Sequence, residues 1–166
     1  MDLSNLLTTD PDGLPRPLDG NGDGVAAFDM GAYEFLLPTA DSNGDGIPDG
    51  WTQQHGLNPC DPTVAAGNPD GDAHTTFEEW QANTDPTNAH SCFHIISITH
   101  GPPVTVHFLS SSNRVYTLRS ATNLTAGGWS DVPGQADVPG TGGLHSLADT
   151  HVGPARFYRV GVRPGP

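Results

Sequence analysis

The chain has 166 residues, 21 of them glycine and 16 proline, and a formal net charge of −13. This composition favours turns, short strands and loops over long helices, and the negative charge argues against nucleic acid as a partner. No apolar run approaches the roughly 18 residues of a membrane span, so we expect no such span.

Residues 1–40 contain a glycine-rich acidic loop. Its oxygen-bearing residues alternate as in a calcium loop and are followed by a late carboxylate: Asp19, Asn21, Asp23, the Val25 carbonyl and Asp29. Met30 occupies position 12, where a carboxylate usually closes the coordination shell. This loop is therefore predicted to be the weakest of three calcium sites.

An alternating apolar stretch follows this loop. Tyr33, Phe35 and Leu37 share one face, which predicts a strand over residues 31–37 that needs a sheet. The Gly-Ala-Tyr-Glu sequence at 31–34 resembles the end of the last coil of secreted right-handed parallel β-helix proteins. Such a coil cannot bury its apolar face alone. We therefore expect this strand to pair with the sheet of a neighbouring copy, with pairing inside its own chain as the alternative.

The most complete calcium-loop pattern lies in the middle of the chain. Ligand oxygens stand at positions 1, 3, 5, 7 and 12 of the calcium-loop spacing, on Asn68, Asp70, Asp72, the His74 carbonyl and Glu79. Thr76 stands at position 9, and Glu79 is placed to close the shell as a bidentate ligand. Ala73 replaces the glycine of this pattern, so we expect a mildly strained or altered turn there.

A second loop with the same spacing precedes it. Its predicted ligands are Asp41, Asn43, Asp45, the Ile47 carbonyl and Asp49. Thr52 at position 12 cannot act as a bidentate carboxylate, so the missing ligand is expected from Asp61, Asp85 or water. The alternative is a polar Asp-Gly loop without metal, which the tandem arrangement disfavours.

These loops carry a family resemblance. The sequence Asp-Ser-Asn-Gly-Asp-Gly-Ile-Pro-Asp-Gly-Trp at 41–51, with Asn-Thr-Asp-Pro-Thr-Asn at 83–88, resembles a bacterial thrombospondin type 3 calcium module, and its loop-then-helix order is similar to dockerin. The resemblance implies Ca²⁺ as the cofactor and a calcium-rigidified, non-catalytic spacer or attachment segment at 41–90 of an extracellular or cell-surface protein. Short helices are expected at 49–55 and 76–83, with Gly56 ending the first and Thr75 or Thr76 capping the second.

Beyond residue 90 the apolar pattern changes to a period of two. Strands are predicted at 94–100, 104–109, 114–120 and 156–162, with weaker ones at 129–132 and 144–147. These strands predict a small antiparallel β-sandwich at 91–166, and the region is similar to a fibronectin-like domain that ends many secreted bacterial proteins. The fold class is therefore mainly β, with a strand segment at 1–40, a calcium module at 41–90 and the sandwich.

The cysteines and histidines allow two further interpretations. Cys60 and Cys92 lie on either side of the more complete calcium loop, so we predict a disulfide between them, with two free thiols as the alternative. His90, Cys92 and His94 are close enough in sequence to contact zinc, but no fourth ligand is apparent, which favours ordinary surface histidines.

Motifs for enzyme chemistry are absent from the sequence. It contains no His-Glu-x-x-His, no Gly-x-Ser-x-Gly and no glycine-rich phosphate loop before a helix, and its acidic pairs follow calcium spacing. We therefore predict a non-catalytic, extracellular calcium-binding structural protein that polymerises head-to-tail into filaments of its own copies by N-terminal strand donation. The alternative is a C-terminal attachment or surface-binding module of a larger secreted protein, recognising glycans or a cell surface.

Overall fold

A computed structural model describes residues 8–21, 23, 25–124, 128–151, 153 and 156–166. The protein is mainly β, as predicted, with antiparallel sheets and short helices. The chain divides into two compact units: the first runs to Trp80 and includes Asp85–Ala89, and the second comprises Gln81–Thr84 and His90–Pro166. Among the described residues, no helix has both the length and the apolar character to cross a membrane.

The second unit is an antiparallel β-sandwich-like fold. Its described residues form seven strands: β1 (Ile95–Thr99), β2 (Val104–Leu109), β3 (Arg114–Ala121), β4 (Ser130–Asp131), β5 (Val138–Pro139), β6 (Leu144–Asp149) and β7 (Phe157–Pro164). One sheet has the order β1-β2-β6. In the other, β3 pairs with β4, β5 and β7. The sequence pattern missed β5, because a two-residue strand that contains a proline carries no period.

The core of this fold comes from the inward positions of the strands. Its buried members are Val106, Phe108, Tyr116, Leu118, Val132 and Leu147. The rings of Phe108 and Tyr116 lie 4.9 Å apart between centroids, and the Tyr116 hydroxyl accepts a hydrogen bond from the Ser111 N–H at 2.8 Å. Burying each large apolar side chain contributes about 1.5–3 kcal/mol, so the second unit has a hydrophobic core of its own.

Two short helices follow the acidic loops. Helix α1 spans Asp49–Gln54 and α2 spans Thr76–Ala82, close to the predicted bounds. Gly56, with φ of +68°, ends the first helix, because the Gly56 and Leu57 N–H groups turn back to the Gln53 and Thr52 carbonyls. The first turn of α2 is closed by a capping box, in which the Thr75 N–H donates to Glu78 and the Glu78 N–H to the Thr75 hydroxyl.

A buried ion pair organises the N-terminal part of the first unit. Arg16 Nε donates to Glu34 Oε1 at 2.6 Å, with the two side chains 7% and 0% exposed. The Arg16 guanidinium also donates to the Gly31 and Ala32 carbonyls, and the Leu18 N–H donates to Glu34 Oε2. Both charged groups are therefore satisfied within the first unit.

Residues 31–37 differ from the predicted strand. Glu34 and Leu36 are buried, whereas Tyr33, Phe35 and Leu37 are exposed at 58%, 56% and 38%. The period of two is kept, but the inward face is the opposite one, because Glu34 must reach Arg16. The segment belongs to no strand: its N–H groups at Glu34, Phe35 and Leu37 donate to the Asp10 and Asp29 carboxylates and the Gly20 carbonyl.

The predicted disulfide is not present. Cys60 and Cys92 are both free thiols, and they belong to different units. The Cys60 N–H donates to Asn58 Oδ1, and Cys92 Sγ lies 3.8 Å from His94 Nδ1. Burial, together with the nearby Asp49 and Asp10 carboxylates, raises the pKa of the Cys60 thiol, so this group stays protonated and unreactive near neutral pH.

Candidate metal centre

Three carboxylates converge in the loop that precedes α2. Asp70, Asp72 and Glu79 each present an oxygen within 4.8 Å of the other two. The aspartates lie on the loop, and Glu79, 1% exposed, lies in the first turn of α2. The buried Thr76 fixes the start of this helix, because its N–H and hydroxyl both donate to the Gly67 carbonyl, at 2.8 and 3.3 Å. Thr76, expected at a ligand position, thus anchors the helix to the start of the loop.

In each of the two aspartates, one carboxylate oxygen accepts a hydrogen bond from the loop and the other is buried without one from any described residue. Asp70 Oδ1 accepts from the Asp72 N–H at 3.1 Å, and Asp72 Oδ1 accepts from the His74 N–H at 2.5 Å. The Oδ2 atoms of both aspartates are buried and have no hydrogen-bond donor among the described residues. Burying carboxylate oxygens without a donor is costly. A cation between them would remove that cost.

The other predicted residues of this loop serve the turn. Asn68 Oδ1 accepts from the Gly71 N–H at 2.8 Å, and Asn68 Nδ2 donates to the Asp72 carbonyl at 2.7 Å. An amide oxygen has a second lone pair, so Asn68 keeps the capacity to bind a metal. The strain expected at Ala73 is not found, because positive φ falls on Gly71 (+75°) and not on Ala73.

The loop at 41–49 is closed by its own hydrogen bonds. The Asp45 N–H donates to Asp41 Oδ1 and Asn43 Oδ1, both at 3.1 Å, and Asn43 Nδ2 donates to Asp45 Oδ2 at 2.9 Å. Asp49 is 1% exposed, and its two oxygens accept from the Ser42 N–H and hydroxyl at 2.9 and 2.6 Å. Asp49 therefore ties the start of this loop to α1, and a metal-ligand role for it stays a prediction.

The carboxylates expected to complete that loop are engaged elsewhere. Asp61 accepts from the Thr63 hydroxyl and N–H at 2.7 and 2.9 Å, which lowers the Asp61 pKa. Asp85 accepts from the Thr87 hydroxyl and N–H in the same way, which lowers the Asp85 pKa. The Oδ1 atoms of Asp61 and Asp85 thus each close a local turn, and the source of the missing ligand stays a prediction.

Gly46 connects the two central loops. Its φ of +90° is a conformation that side-chain-bearing residues rarely adopt. A Cβ at this position would also lie 3.2 Å from the Phe77 ring of α2. The first loop and the helix that carries Glu79 are therefore in direct contact within the first unit.

The N-terminal loop repeats the hydrogen bonds of the loop at 41–49. The Asp23 N–H donates to Asp19 Oδ1 and Asn21 Oδ1, both at 3.1 Å, and the Val25 N–H donates to Asp23 Oδ1 at 2.9 Å. Asp29, the predicted late ligand, accepts instead from the Phe35 N–H through Oδ2. Gly22 and Gly24 lie outside the described residues.

Among the described residues, the only group of three or more histidine, cysteine or carboxylate side chains with converging ligand atoms is Asp70, Asp72 and Glu79. His90, Cys92 and His94 do not form such a group, so the zinc alternative has no geometric support.

The sequence pattern did not predict one feature of this site, the hydrogen bonds between Thr76 and the Gly67 carbonyl. The sequence signal for it is the Thr-Thr pair that precedes Phe-Glu-Glu at the start of the helix. Thr75 caps the helix, so Thr76 is available to bond to another part of the loop.

Searches against family models, curated proteins and solved structures find no match to this chain.

Proposed function

We propose that the protein is a non-catalytic, calcium-binding structural protein in which Asp70, Asp72 and Glu79 hold Ca²⁺. The observation that supports this most directly is the pair of buried Oδ2 atoms on Asp70 and Asp72. Within the described part of the chain these atoms have no hydrogen-bond donor, and their side chains converge with the Glu79 carboxylate. Calcium takes six to eight oxygen ligands. Asp70, Asp72 and Glu79 would supply at least three of these ligands, and main-chain carbonyl or water oxygens would have to supply the rest.

The chemistry of the ligands favours calcium over zinc. All three converging groups are carboxylates, and hard oxygen ligands suit calcium, magnesium and manganese, whereas zinc sites are rich in cysteine and histidine. Magnesium requires near-ideal octahedral geometry and usually keeps several waters, whereas calcium accepts six to eight oxygen ligands in variable geometry, which suits a site with three protein carboxylates.

A structural role follows from how little apolar material the first unit contains. Among its described residues, the buried hydrophobic side chains are Leu14, Leu36 and Ile47. This unit has a formal charge of −15, because it contains sixteen of the nineteen acidic residues and only one of the six arginines. Such self-repulsion destabilises a compact state. Each calcium ion would neutralise two charges and order the loop around it, so ion binding is coupled to folding.

Isothermal titration calorimetry of the full chain with CaCl₂, and separately with MgCl₂, tests this proposal. The unchanged chain should bind calcium in preference to magnesium, and Asp72→Asn should weaken binding by about tenfold or more, because ligand charge sets calcium affinity. Asp12→Asn removes one exposed carboxylate from the same unit and is the matched control. Absence of calcium binding by the unchanged chain would refute the proposal.

An extracellular or cell-surface location belongs to the same proposal. Calcium modules outside cells bind with Kd of about 10⁻⁴–10⁻³ M, which cytosolic calcium would leave empty. A measured Kd in that range supports this location, and a nanomolar Kd, typical of cytosolic buffers, argues against it.

Self-association is the second part of the proposal. The Tyr33, Phe35 and Leu37 side chains project from a segment whose opposite face is held by the Arg16–Glu34 ion pair. We call these three side chains the apolar face of the first unit. The N–H groups of this segment already donate within their own unit. Docking of the intact face onto another copy is therefore favoured over insertion as a donated strand, which would require those bonds to be exchanged.

Electron microscopy and sedimentation velocity of the full chain, with calcium and with a chelator, test the assembly. Filaments or higher oligomers are expected, and the triple change Tyr33→Ser, Phe35→Ser and Leu37→Ser should abolish them without loss of calcium binding. A monomer at every concentration would instead favour the alternative, an attachment or surface-binding module in which the apolar face contacts another part of a longer polypeptide.

A further inference from the structure

The charge of the chain is divided unequally between its two units. The second unit carries three of the nineteen acidic residues and five of the six arginines, a formal charge of +2, against −15 for the first unit. Even two or three bound calcium ions would leave the first unit strongly acidic. The first unit of one copy is therefore electrostatically complementary to the second unit of another.

The second unit has an open cleft of about 440 Å³ beside the start of β7. Its lining is mainly apolar and aromatic and includes Ile98, Leu124, Trp129, Arg156, Phe157 and Tyr158. No carboxylate is found among the described residues that line it. Ile98, Leu124 and Phe157 are 39%, 57% and 45% exposed, so apolar surface is open to solvent there.

Arg156 lines this cleft, and Arg159 lies against Trp129, which forms part of its wall. Arg156 Nη1 donates to the Ser120 hydroxyl at 3.0 Å and lies 3.9 Å from Asp149, while Arg156 Nε is buried and has no hydrogen-bond partner among the described residues. The guanidinium of Arg159 lies over the Trp129 ring, 4.5 Å from its centroid. An acidic group that approaches the cleft would meet two guanidinium groups.

The strand that borders the cleft is also an open edge. Within the described part of the chain, β7 pairs with β3 alone. Leu118 lies opposite Val160, but its N–H donates to the Gln135 carbonyl and its carbonyl accepts from the Val132 N–H, both on the side of β3 away from β7. Leu118 and Val160 are therefore a pair without hydrogen bonds between them. In an antiparallel pair hydrogen-bonded residues alternate, so the main-chain groups of Tyr158, Val160 and Val162 point to the open edge. Such an edge is a template for contact with another chain.

We infer that this cleft, which the open edge of β7 borders, receives the side chains of the apolar face, Tyr33, Phe35 and Leu37, of a second copy, without main-chain pairing to β7. The exposed carboxylate of Asp29 accepts from the Phe35 N–H, so it borders that face and would approach Arg156 and Arg159 of the receiving copy. The inference rests on the proposed self-association and names its receiving surface. A heterologous contact of this kind repeats from copy to copy and produces a filament or a ring.

Photo-crosslinking in the full, calcium-loaded chain tests the contact. A photoreactive phenylalanine analogue replaces Phe35, unlabelled and ¹⁵N-labelled chains are mixed, and mass spectrometry identifies the crosslinked peptides. Crosslinks should join position 35 of one copy to residues 156–160, Leu124 or Trp129 of another copy.

Point variants give a second readout by sedimentation velocity. Phe35→Ser and Arg159→Gln should each weaken self-association by about tenfold, because a few anchor residues carry most of the binding energy of an interface. Leu144→Ser removes a comparably exposed side chain (67%) from β6, outside the lining of the cleft, and should have no effect.

The outcomes separate the two levels of the proposal. Self-association that survives Arg159→Gln, with crosslinks that map to another surface or only within one chain, would overturn the inferred receiving surface and leave self-association standing. A chain that sediments as a monomer at all concentrations would overturn self-association itself.

Discussion

Arg16 and Glu34, eighteen positions apart in the sequence, form an ion pair of 2.6 Å between Nε and Oε1 with almost no exposure to solvent. Glu34 is flanked by the exposed Tyr33 and Phe35. This pair therefore decides which face of the segment is turned inward, and it leaves the aromatic side chains on the surface.

Removing one partner of this pair should destabilise the first unit strongly. Arg16→Ala leaves the Glu34 carboxylate buried without its cation, and breaking a buried pair in this way costs about 3–5 kcal/mol. Chemical denaturation followed by tryptophan fluorescence, to which Trp51 and Trp80 of the first unit and Trp129 of the second contribute, measures the loss. The matched control is Arg163→Gln, which breaks the exposed ion pair with Asp137 and should change stability little.

Calcium should stabilise the first unit selectively. A ligand at 100 times its Kd adds about 2.7 kcal/mol to the unfolding free energy of the part that binds it. Differential scanning calorimetry with calcium and with a chelator should therefore shift one transition and leave another, that of the core around Phe108 and Tyr116, in place. A single transition that calcium does not move would contradict this prediction.

Acid should weaken the N-terminal part of the first unit through Asp10. Burial raises the Asp10 pKa, but hydrogen bonds from the Glu34, Leu14 and Asp12 N–H groups outweigh it, so the pKa is lower than in the unfolded chain. Its stabilising contribution is therefore complete above the ordinary value of about 3.9 and is lost as pH falls through the lower folded pKa. The stability difference between Asp10→Asn and the unchanged chain, measured by urea denaturation, should be larger at pH 7 than below pH 3.

Gly50→Ala should destabilise the protein although it lies in a helix. Alanine is ordinarily favoured over glycine in a helix by about 1 kcal/mol. A Cβ at position 50 would, however, lie 2.6 Å from Pro38 Cβ and 2.8 Å from the Pro38 carbonyl oxygen. Overpacking of this kind costs about 1–3 kcal/mol. Thermal denaturation should show a lower Tm for Gly50→Ala, whereas Gln53→Ala, an exposed change in the same helix, should leave the Tm nearly unchanged.

The sequence by itself determined the features that depend on neighbouring residues. The turns of the acidic loops follow from it, because each hydrogen bond joins residues a few positions apart, such as Asp70 Oδ1 and the Asp72 N–H. The strands of the second unit follow as well, because a period of two places Val106 and Phe108 on one buried face. The mainly-β fold class was therefore predictable.

Only the tertiary structure decided features that depend on distant residues. Glu79 reaches Asp70 and Asp72 because Thr76 is bonded to Gly67, nine positions earlier. The apolar face of the first unit is exposed because the carboxylate of Glu34 must be compensated by Arg16, and apolar periodicity carries no information about where that charge finds its partner. A pattern in the sequence places residues on a common face, but the burial of that face is decided by what the rest of the chain packs against it.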